Sequence, residues 1–283
     1  MGASIYLGKV LSAGTKGCNI VVASTTPAID PDAQAFLTAA GITDATITSA
    51  INTLVVDLKA YSIWTKFKAI YPIVGGSASS HAVNLKTPGT YNLTFSTGWT
   101  HSSTGALPNG TSAYADTNLK VDLITQNNGH LSYYSRSNTA GGAGTFKVEV
   151  GYLKITPSFA ASSLAISRDG STFGIINSTG SATTTTNSDT RGFYVANRLT
   201  STVQTLDKNG SVINTSNDTS VAPPSTVMSY WIGARNSPDN SGAINYSDRQ
   251  CAFSSIGDGL TSTERANFYT AVQAMQTTLS RNV

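Results

Sequence analysis

The sequence predicts a mainly β protein: an antiparallel β-sandwich with a short N-terminal helical segment and a C-terminal helix. Short runs rich in Val, Ile, Tyr, Phe and Trp between residues 191 and 259 are broken at short intervals by Asn-Gly, Ser-Asp and Asp-Gly, as in antiparallel strands joined by tight turns. The clearest turn is Asn209-Gly210, because both residues tolerate the positive φ of a type I′ turn. We therefore expect residues 203–207 and 211–214 to pair as a hairpin.

The N-terminal part is predicted to be an arm followed by helices. Residues 1–29 carry short apolar runs separated by Gly, Ser and Thr, which indicate two strands or an extended arm. A first helix should have Asp30 as its N-cap and Pro31 in the first helical position, and should end at Gly41. A second, strongly amphipathic helix should begin near residues 43–44. Its apolar face would carry Ile47, Ile51, Leu54, Val55 and Leu58.

Two further helices follow from apolar spacing. Residues 61–70 continue the helical pattern and predict a third short helix, which Tyr71-Pro72 would stop. Near the C-terminus, Thr261 and Glu264 form a capping box that should begin a last helix. The apolar face of that helix would carry Phe268, Val272, Met275 and Leu279.

The composition changes near Gly75-Gly76 to Gly, Ser, Thr and Asn with β-branched and aromatic runs, so we place a boundary there. The three predicted parts are an N-terminal arm at 1–29, a helical attachment or oligomerisation segment at 30–74, and a sandwich with a C-terminal helix at 75–283. Further strand candidates are 81–85, 91–95, 98–101, 112–117, 131–135, 146–153, 164–168, 173–176, 227–234 and 250–256. The low-complexity run at 183–186 is predicted to be a mobile loop.

The composition excludes several classes of function. Charged residues make up 12% of the 283 residues, against about a quarter in an ordinary domain. The net charge is +3 and no cluster of Lys and Arg stands out, so we expect no nucleic-acid partner. No run approaches the roughly 18 apolar residues of a membrane span. The N-terminus lacks the apolar core of a secretory signal, so we expect a soluble chain made in the cytoplasm.

Several long phrases carry a resemblance to a known family. They are AQAFLTAAGI, AINTLVVDLKAYSIWTKFKAIYPIVGG, TGWTHSSTGALPNGTSAYADT, HLSYYSR, YWIGARN and SDRQCAFSSIGDGLT. Together they resemble virion structural proteins from phages and prophages of Bacteroidetes, including crAss-like phages, over nearly the whole chain from residue 30 to 283. The C-terminal part is also similar to the concanavalin-like, laminin-G-type jelly roll, in which a hairpin such as LDKNGSVI and a strand such as YWIGA recur.

The resemblance implies a protein on the outside of a virus particle. Such a protein would be a head fibre, a decoration protein or a tail-associated receptor-binding protein, assembled in the host cytoplasm. The N-terminal segment would bind other virion proteins or sister subunits, and the sandwich would bind host surface glycan. A homotrimer is the expected assembly, because fibres and spikes of this sort commonly close three-fold. The open alternatives are a decoration or cementing protein without a ligand, and a depolymerase acting on capsule.

One cluster of aromatic and polar residues is a candidate glycan site. Its members are Trp99, His101, Tyr114, His130, Tyr133, Tyr134 and Arg136. Sugar-binding sites stack an aromatic face on the apolar side of a pyranose and use guanidinium or amide groups to bind hydroxyls in pairs. Strand alternation puts Tyr133 and Tyr134 on opposite faces, so at most one of them can join a single site. The alternative is that these aromatics fill the core or a subunit interface.

The sequence offers little support for catalysis. A glycoside hydrolase needs two carboxylates, but Glu149 stands alone and Glu264 belongs to the capping box. Asp116 and Asp122 could form a pair, and no Gly-x-Ser-x-Gly elbow marks a serine nucleophile. We therefore expect binding without turnover.

We expect no metal or other cofactor. The three histidines are His81, His101 and His130, and none lies at metal-ligand spacing from another ligand. Asp169-Gly170 and residues 238–240 could supply calcium oxygens, but Asp and Asn in such places usually make turns. Cys18 and Cys251 are far apart in the sequence, and we expect two buried thiols or, alternatively, a bridge from the arm to the last strand.

Overall fold

The computed structural model is a sandwich of two β-sheets with helices packed on one of them. It describes residues 28–139, 144–180, 184–224, 228–240 and 242–283. Most of the predicted arm and Cys18 lie outside these residues. Strands make up 39% and helices 23% of the chain, which confirms the predicted mainly β class.

The elements run as follows along the chain. The helices are α1 (Pro31–Ala40), α2 (Ala45–Ala60), α3 (Ala78–His81) and α4 (Ser262–Thr278). The strands are β1 (Phe67–Tyr71), β2 (Thr94–Phe95), β3 (Trp99–Ser102), β4 (Gly105–Pro108), β5 (Ala115–Lys120), β6 (Gly129–Ser135), β7 (Val150–Lys154), β8 (Ala160–Arg168), β9 (Ser171–Ser178), β10 (Thr184–Thr186), β11 (Gly192–Arg198), β12 (Val203–Lys208), β13 (Ser211–Asn217), β14 (Ser229–Ile232), β15 (Arg235–Ser237), β16 (Gly242–Ile244) and β17 (Cys251–Gly257). None of the described helices is both long and apolar enough to cross a membrane.

The strands form two sheets. Sheet A has the order β13-β12-β11-β6-β17-β4-β3, and β1 pairs with β17 as well. Sheet B has the order β10-β9-β8-β7-β14-β5-β2, with β15 beside β7 and β16 beside β15. Strand pairing is antiparallel throughout the described sheets except between β15 and β7. The two sheets face each other, as the predicted sandwich requires.

The local turn and cap signals of the sequence are confirmed. Asn209 and Gly210 have φ angles of 49° and 76° and join β12 to β13 as the predicted hairpin. Asp30 accepts the backbone N–H of residue 32 and caps α1, which ends at Gly41 in the left-handed conformation. Thr261 and Glu264 form both hydrogen bonds of a capping box at the start of α4.

The predicted third helix at residues 61–70 is wrong. A single 3-10 turn is followed by β1, which pairs with β17. β1 is buried on both faces: Phe67 and Ile70 pack against the helices, while Ala69 and Tyr71 pack between the sheets. Because both faces are apolar, the strand lacks the polar alternation that would have separated it from a helix.

Two other segments differ from the prediction. Residues 81–85 form no strand, because α3 ends there and the Asn84 side chain accepts the N–H of Ile70 and donates to the carbonyl of Thr90. The run at 183–186 is not wholly a loop, since its described residues form β10 against β9. In both places hydrogen bonds with distant residues decide the conformation.

Buried apolar side chains form three clusters. The helix-side core, between the helices and sheet A, includes Phe36, Ile51, Leu54, Phe193, Phe253 and Phe268. The sandwich core, between the two sheets, includes Leu131, Tyr133, Leu164, Tyr230 and Ile256. The outer core, on the other face of sheet B, consists of Val148, Leu153, Ala161, Ala165, Phe173 and Ile175. Residues 30–74 thus share a core with the sandwich; their attachment role stays a prediction.

Phe268 lies at the centre of the helix-side core. Its ring centroid is 4.9 Å from that of Phe67, 5.0 Å from Phe193 and 5.8 Å from Phe253. These three partners belong to β1, β11 and β17, so one α4 side chain joins three strands of sheet A.

We predict that Phe268→Ala lowers the free energy of unfolding by about 3–5 kcal/mol, because it removes a fully buried ring and leaves a cavity. Urea denaturation followed by circular dichroism measures this change. Val56→Ala is the control, since Val56 is 46% exposed on α2. Equal losses in the two variants would contradict the proposed role of Phe268.

Candidate ligand-binding cleft

The strand β14 places one tryptophan on the outer face of sheet B. Tyr230 and Ile232 are buried in the sandwich core, so the intervening Trp231 points to the opposite face. There its side chain is half-buried and belongs to none of the three cores.

Trp231 is stacked on Tyr114. Their ring centroids are 4.0 Å apart and their planes differ by 12°. Tyr114 is also half-buried and outside the three cores. The Trp231 indole Nε1 is buried and has no hydrogen-bond acceptor among the described residues. The two stacked rings therefore form a flat apolar surface outside the three cores.

A cleft of about 360 Å³ borders the Trp231 ring. It is lined by Asp116, Lys154, Met228, Ser229, Trp231, Asn236 and Pro238. The lining therefore combines an indole with a carboxylate, an ammonium, a hydroxyl and an amide. This combination of an apolar face with a few convergent polar groups is typical of small-ligand sites.

Hydrogen bonds fix the polar groups of the cleft. The Oδ1 atom of Asp116 accepts both the Ser229 hydroxyl and the backbone N–H of Asn118. The Asn236 amide donates to the Ser229 carbonyl at 2.8 Å, which leaves its Oδ1 as an acceptor. Lys154 is 3.1 Å from Asp239, in an ion pair at the rim. Carboxylate and amide groups held in this way can bind sugar hydroxyls without first being ordered.

None of the predicted site residues lines this cleft, but Tyr114 stacks on Trp231, which does. Trp99 donates its indole N–H to the Tyr114 carbonyl at 3.0 Å, and its ring packs edge-on against Phe95 at the rim of the sandwich core. His101 follows on the same strand and contacts Phe95 at 4.7 Å. Tyr114 itself stacks on Trp231. Trp99, His101 and Tyr114 are thus brought together, and Trp99 mainly supports Tyr114.

His101 belongs to a histidine pair whose tautomers follow from the hydrogen bonds. Gly76 donates its N–H to His81 Nε2 at 3.2 Å, so the proton of neutral His81 lies on Nδ1. That nitrogen is 2.9 Å from His101 Nδ1, which must then accept. Burial and the neighbouring His101 lower the pKa of His81 to about 3, and burial also lowers the pKa of His101, so both imidazoles are neutral at about pH 7.

The other four residues of the predicted cluster are elsewhere, and one of them, Tyr134, is buried in the helix-side core. His130 is completely buried and hydrogen-bonds the Asp258 carbonyl and the Ser255 hydroxyl. Tyr133 is buried in the sandwich core and donates to the Arg249 carbonyl at 2.7 Å. Arg136 is half-buried and uses its guanidinium for the Arg281 carbonyl and the Gln250 side chain. The structure does not bring His130, Tyr133 or Arg136 to the cleft.

The sequence analysis missed Trp231, although a signal for it was present. The phrase YWI alternates along a strand, so burial of Tyr230 and Ile232 implies that Trp231 faces outward.

The described residues show no cluster of three or more His, Cys, Asp or Glu side chains that could hold a metal ion. Asp239, in the segment that could have supplied calcium oxygens, accepts the N–H of Ile155 and the hydroxyl of Thr156, and it pairs with Lys154. These donors lower its pKa well below the usual range. Asp169 accepts the Gly144 N–H. Both Asp side chains therefore accept backbone N–H groups from segments that are distant in the sequence.

Neither glutamate is free for acid–base chemistry. Glu149 is buried, pairs with Arg249 at 3.0 Å and accepts the Ser247 hydroxyl and the Ile166 N–H. Glu264 caps α4 and pairs with Lys66 at 2.7 Å. Both carboxylates therefore have structural partners.

Comparisons with known proteins identify the fold. No protein-family model matches the chain, and no curated protein matches it. Among solved structures, the chain is similar to Trypanosoma rangeli sialidase in complex with sialic acid, with a TM-score of 0.50, 9% identity, and coverage of 78% of this chain and 38% of that chain. The chain is also similar to the complex of the same sialidase with 2,3-difluorosialic acid. That match has a TM-score of 0.50 and 10% identity, and covers 78% of this chain and 39% of that chain.

A third similar structure is a mutant of HCR/D, with a TM-score of 0.50, 11% identity, and coverage of 74% of this chain and 53% of that chain. This chain therefore spans between about two-fifths and half of the length of the structures it matches. At such low identity the likeness establishes the β-sandwich fold alone.

We predict a pH-dependent loss of stability from His130. Burial lowers the pKa of its imidazole to about 4, below the unfolded value near 6.5. Well above pH 6.5 the His130 imidazole is neutral in both the folded and the unfolded protein, so it does not change the free energy of unfolding. As the pH falls from 6.5 to 4 the unfolded state binds the proton first, which should reduce the free energy of unfolding by on the order of 3 kcal/mol.

Denaturation at pH 7 and pH 4 should show a smaller decrease in His130→Asn than in the parent protein. Lys120→Gln on the exposed edge of β5 is the control and should keep the parent pH dependence. Identical pH profiles for the parent and His130→Asn would show that the folded-state pKa of His130 is ordinary.

Proposed function

We propose that this protein is a phage virion surface protein, of the head- or tail-fibre type, whose sandwich binds host surface glycan. The observation that carries the glycan proposal is the Tyr114–Trp231 stack, a flat aromatic surface outside all cores beside a cleft with fixed polar groups. The virion location, the binding of other virion proteins through the N-terminal segment and the homotrimer rest on the sequence resemblance.

The cleft matches the chemistry of a sugar. A pyranose has an apolar face, on which an indole ring can stack. It also has hydroxyl groups around its edge, and these can donate hydrogen bonds to carboxylate and amide oxygens. Asp116 and Asn236 supply those oxygens close to Trp231. Two of the similar structures are complexes of one sialidase, with sialic acid and with its difluoro derivative, which agrees with a sugar as the ligand class.

Binding without cleavage is proposed because the glutamates of the chain are already engaged in ion pairs and hydrogen bonds. In the cleft itself, Asp116 is the one carboxylate of the lining. Hydrolysis by either of the usual mechanisms needs two carboxyl groups across the scissile bond.

We predict that Trp231→Ala reduces glycan binding at least tenfold, about 1.4 kcal/mol, because the stacking surface is removed. The measurement is binding of labelled protein to an array of bacterial surface polysaccharides, followed by titration against the best ligand. Tyr269→Ala is the matched control: Tyr269 is also half-buried, but it lies on α4, away from the cleft.

Unchanged affinity of Trp231→Ala would contradict the placement of the glycan at this cleft. If the parent protein binds no polysaccharide of the array, the decoration role without a ligand replaces the glycan proposal.

We also predict that the purified protein releases no reducing ends from the polysaccharide that it binds. A colorimetric reducing-sugar assay after prolonged incubation tests this. Release that disappears in Asp116→Asn would replace our proposal with a depolymerase.

A further inference from the structure

Two arginines stack on one phenylalanine at the edge of the outer core. The guanidinium carbon of Arg168 is 4.6 Å from the Phe146 ring centroid, and that of Arg235 is 4.7 Å from it. Arg168 also lies 5.1 Å from the Phe173 ring, which packs edge-on against Phe146. The aromatic rings thus hold two like charges close together.

Little negative charge offsets these two guanidinium groups. Arg235 is only 8% exposed, and none of the ion pairs among the described residues includes it. Its Nη2 donates to the Asn245 amide oxygen at 3.0 Å, while its buried Nε has no acceptor. Arg168 has one carboxylate partner, Asp169, at 3.9 Å.

Burial of the Arg235 guanidinium costs free energy unless an anion lies nearby. Among the other buried arginines, Arg198, Arg249 and Arg265 pair with carboxylates. Arg281 has no carboxylate partner in the described part of the chain, but its Nε, Nη1 and Nη2 atoms all donate, to the Gln276 side chain and to backbone carbonyls. Arg235 has neither a carboxylate nor an acceptor for its Nε among the described residues. Burial, together with the charge of Arg168, lowers the pKa of Arg235 to about 10, so it is still protonated at neutral pH. A buried guanidinium with an unused donor is relieved by an oxyanion, because the guanidinium fork matches carboxylate and sulfate oxygens.

The arginine pair is close to the cleft. Gly151 on β7 is the register partner of both Trp231 and Arg235. Since paired backbones are about 5 Å apart, the Cα atoms of Trp231 and Arg235 lie within about 11 Å of each other. Asn236, the neighbour of Arg235 on β15, lines the cleft directly. A short oligosaccharide can span this distance, and Arg168, whose side chain is 40% exposed, is the member of the pair that solvent reaches.

We infer that Arg168 and Arg235 bind the anionic group, a carboxylate or a sulfate, of an acidic glycan whose adjoining sugar ring lies at Trp231. This inference rests on the proposed glycan binding and narrows its ligand to acidic polysaccharides. The aromatic rings orient the two guanidinium groups, and the anion supplies the charge that the described residues lack.

The test compares three immobilised polymers: polygalacturonate with carboxylates, dextran sulfate with sulfates, and neutral dextran. The full chain should bind one or both polyanions at least tenfold more tightly than dextran, and Arg168→Gln should remove at least tenfold of that affinity. Arg191→Gln is the matched control, because it changes the net charge equally at an exposed arginine paired with Asp189. Its affinity should stay within about twofold of the parent.

Arg235→Lys keeps the charge but loses the planar fork, so it should also weaken polyanion binding. Thermal unfolding checks that each variant is folded. If Arg235→Lys does not fold, Arg168→Gln, with its side chain at the surface, decides the question. Equal losses in Arg168→Gln and Arg191→Gln, equal affinity of the parent for dextran and the polyanions, or no binding to either polyanion would overturn the inference.

Trp231→Ala separates this inference from the proposed function. Loss of polyanion affinity in both Trp231→Ala and Arg168→Gln supports both the glycan site at the cleft and the anion site at the arginine pair. Loss in Arg168→Gln with full retention in Trp231→Ala would leave an anion site but contradict a sugar at the cleft. Loss in Trp231→Ala alone would keep the glycan site and overturn the anion site.

Discussion

The structure depends on the burial of β17 on both of its faces. Cys251 and Ile256 pack between the sheets, while Ala252 and Phe253 pack against the helices. The same strand pairs with β1, β4 and β6, so it joins the N-terminal segment to the sandwich and leads directly into α4. Close packing requires small residues here: a Cβ at Gly257 would lie 2.3 Å from the Lys66 carbonyl oxygen. Any account of attachment must therefore treat the helices and sandwich as one packed unit.

The sequence predicted correctly the helix caps and the hairpin turn, which depend on interactions between residues close together in the chain. The caps at Asp30 and Thr261 and the turn at Asn209-Gly210 depend on residues within three or four positions, and the sequence was sufficient for them. β1 was mistaken for a helix because its conformation depends on pairing with a strand almost two hundred residues later. Its two apolar faces concealed the period of two that identifies an ordinary strand.

The candidate site was predictable only in part. Of the predicted cluster, Trp99, His101 and Tyr114 lie near one another: Trp99 and His101 are on β3, and the Trp99 indole donates to the carbonyl of Tyr114, which precedes β5. Strand alternation also correctly separated Tyr133 from Tyr134, which belong to different cores. Residue type alone could not show that His130 is buried beneath α4, nor that Trp231 stacks on Tyr114, because both facts depend on how distant strands meet. The unpaired charge of Arg235 likewise appears only when its neighbours are known.

Two features lie outside the cores or lack partners in the fold: the Tyr114–Trp231 stack, and Arg235, which has neither a carboxylate partner nor an acceptor for its Nε among the described residues. The most direct measurement is a crystal structure of the protein soaked with an acidic oligosaccharide that it binds in solution. We expect a sugar ring beside Trp231, in contact with Asp116 or Asn236, and its anionic group against Arg168. An oligosaccharide bound at another surface, with the cleft unchanged, would contradict this expectation.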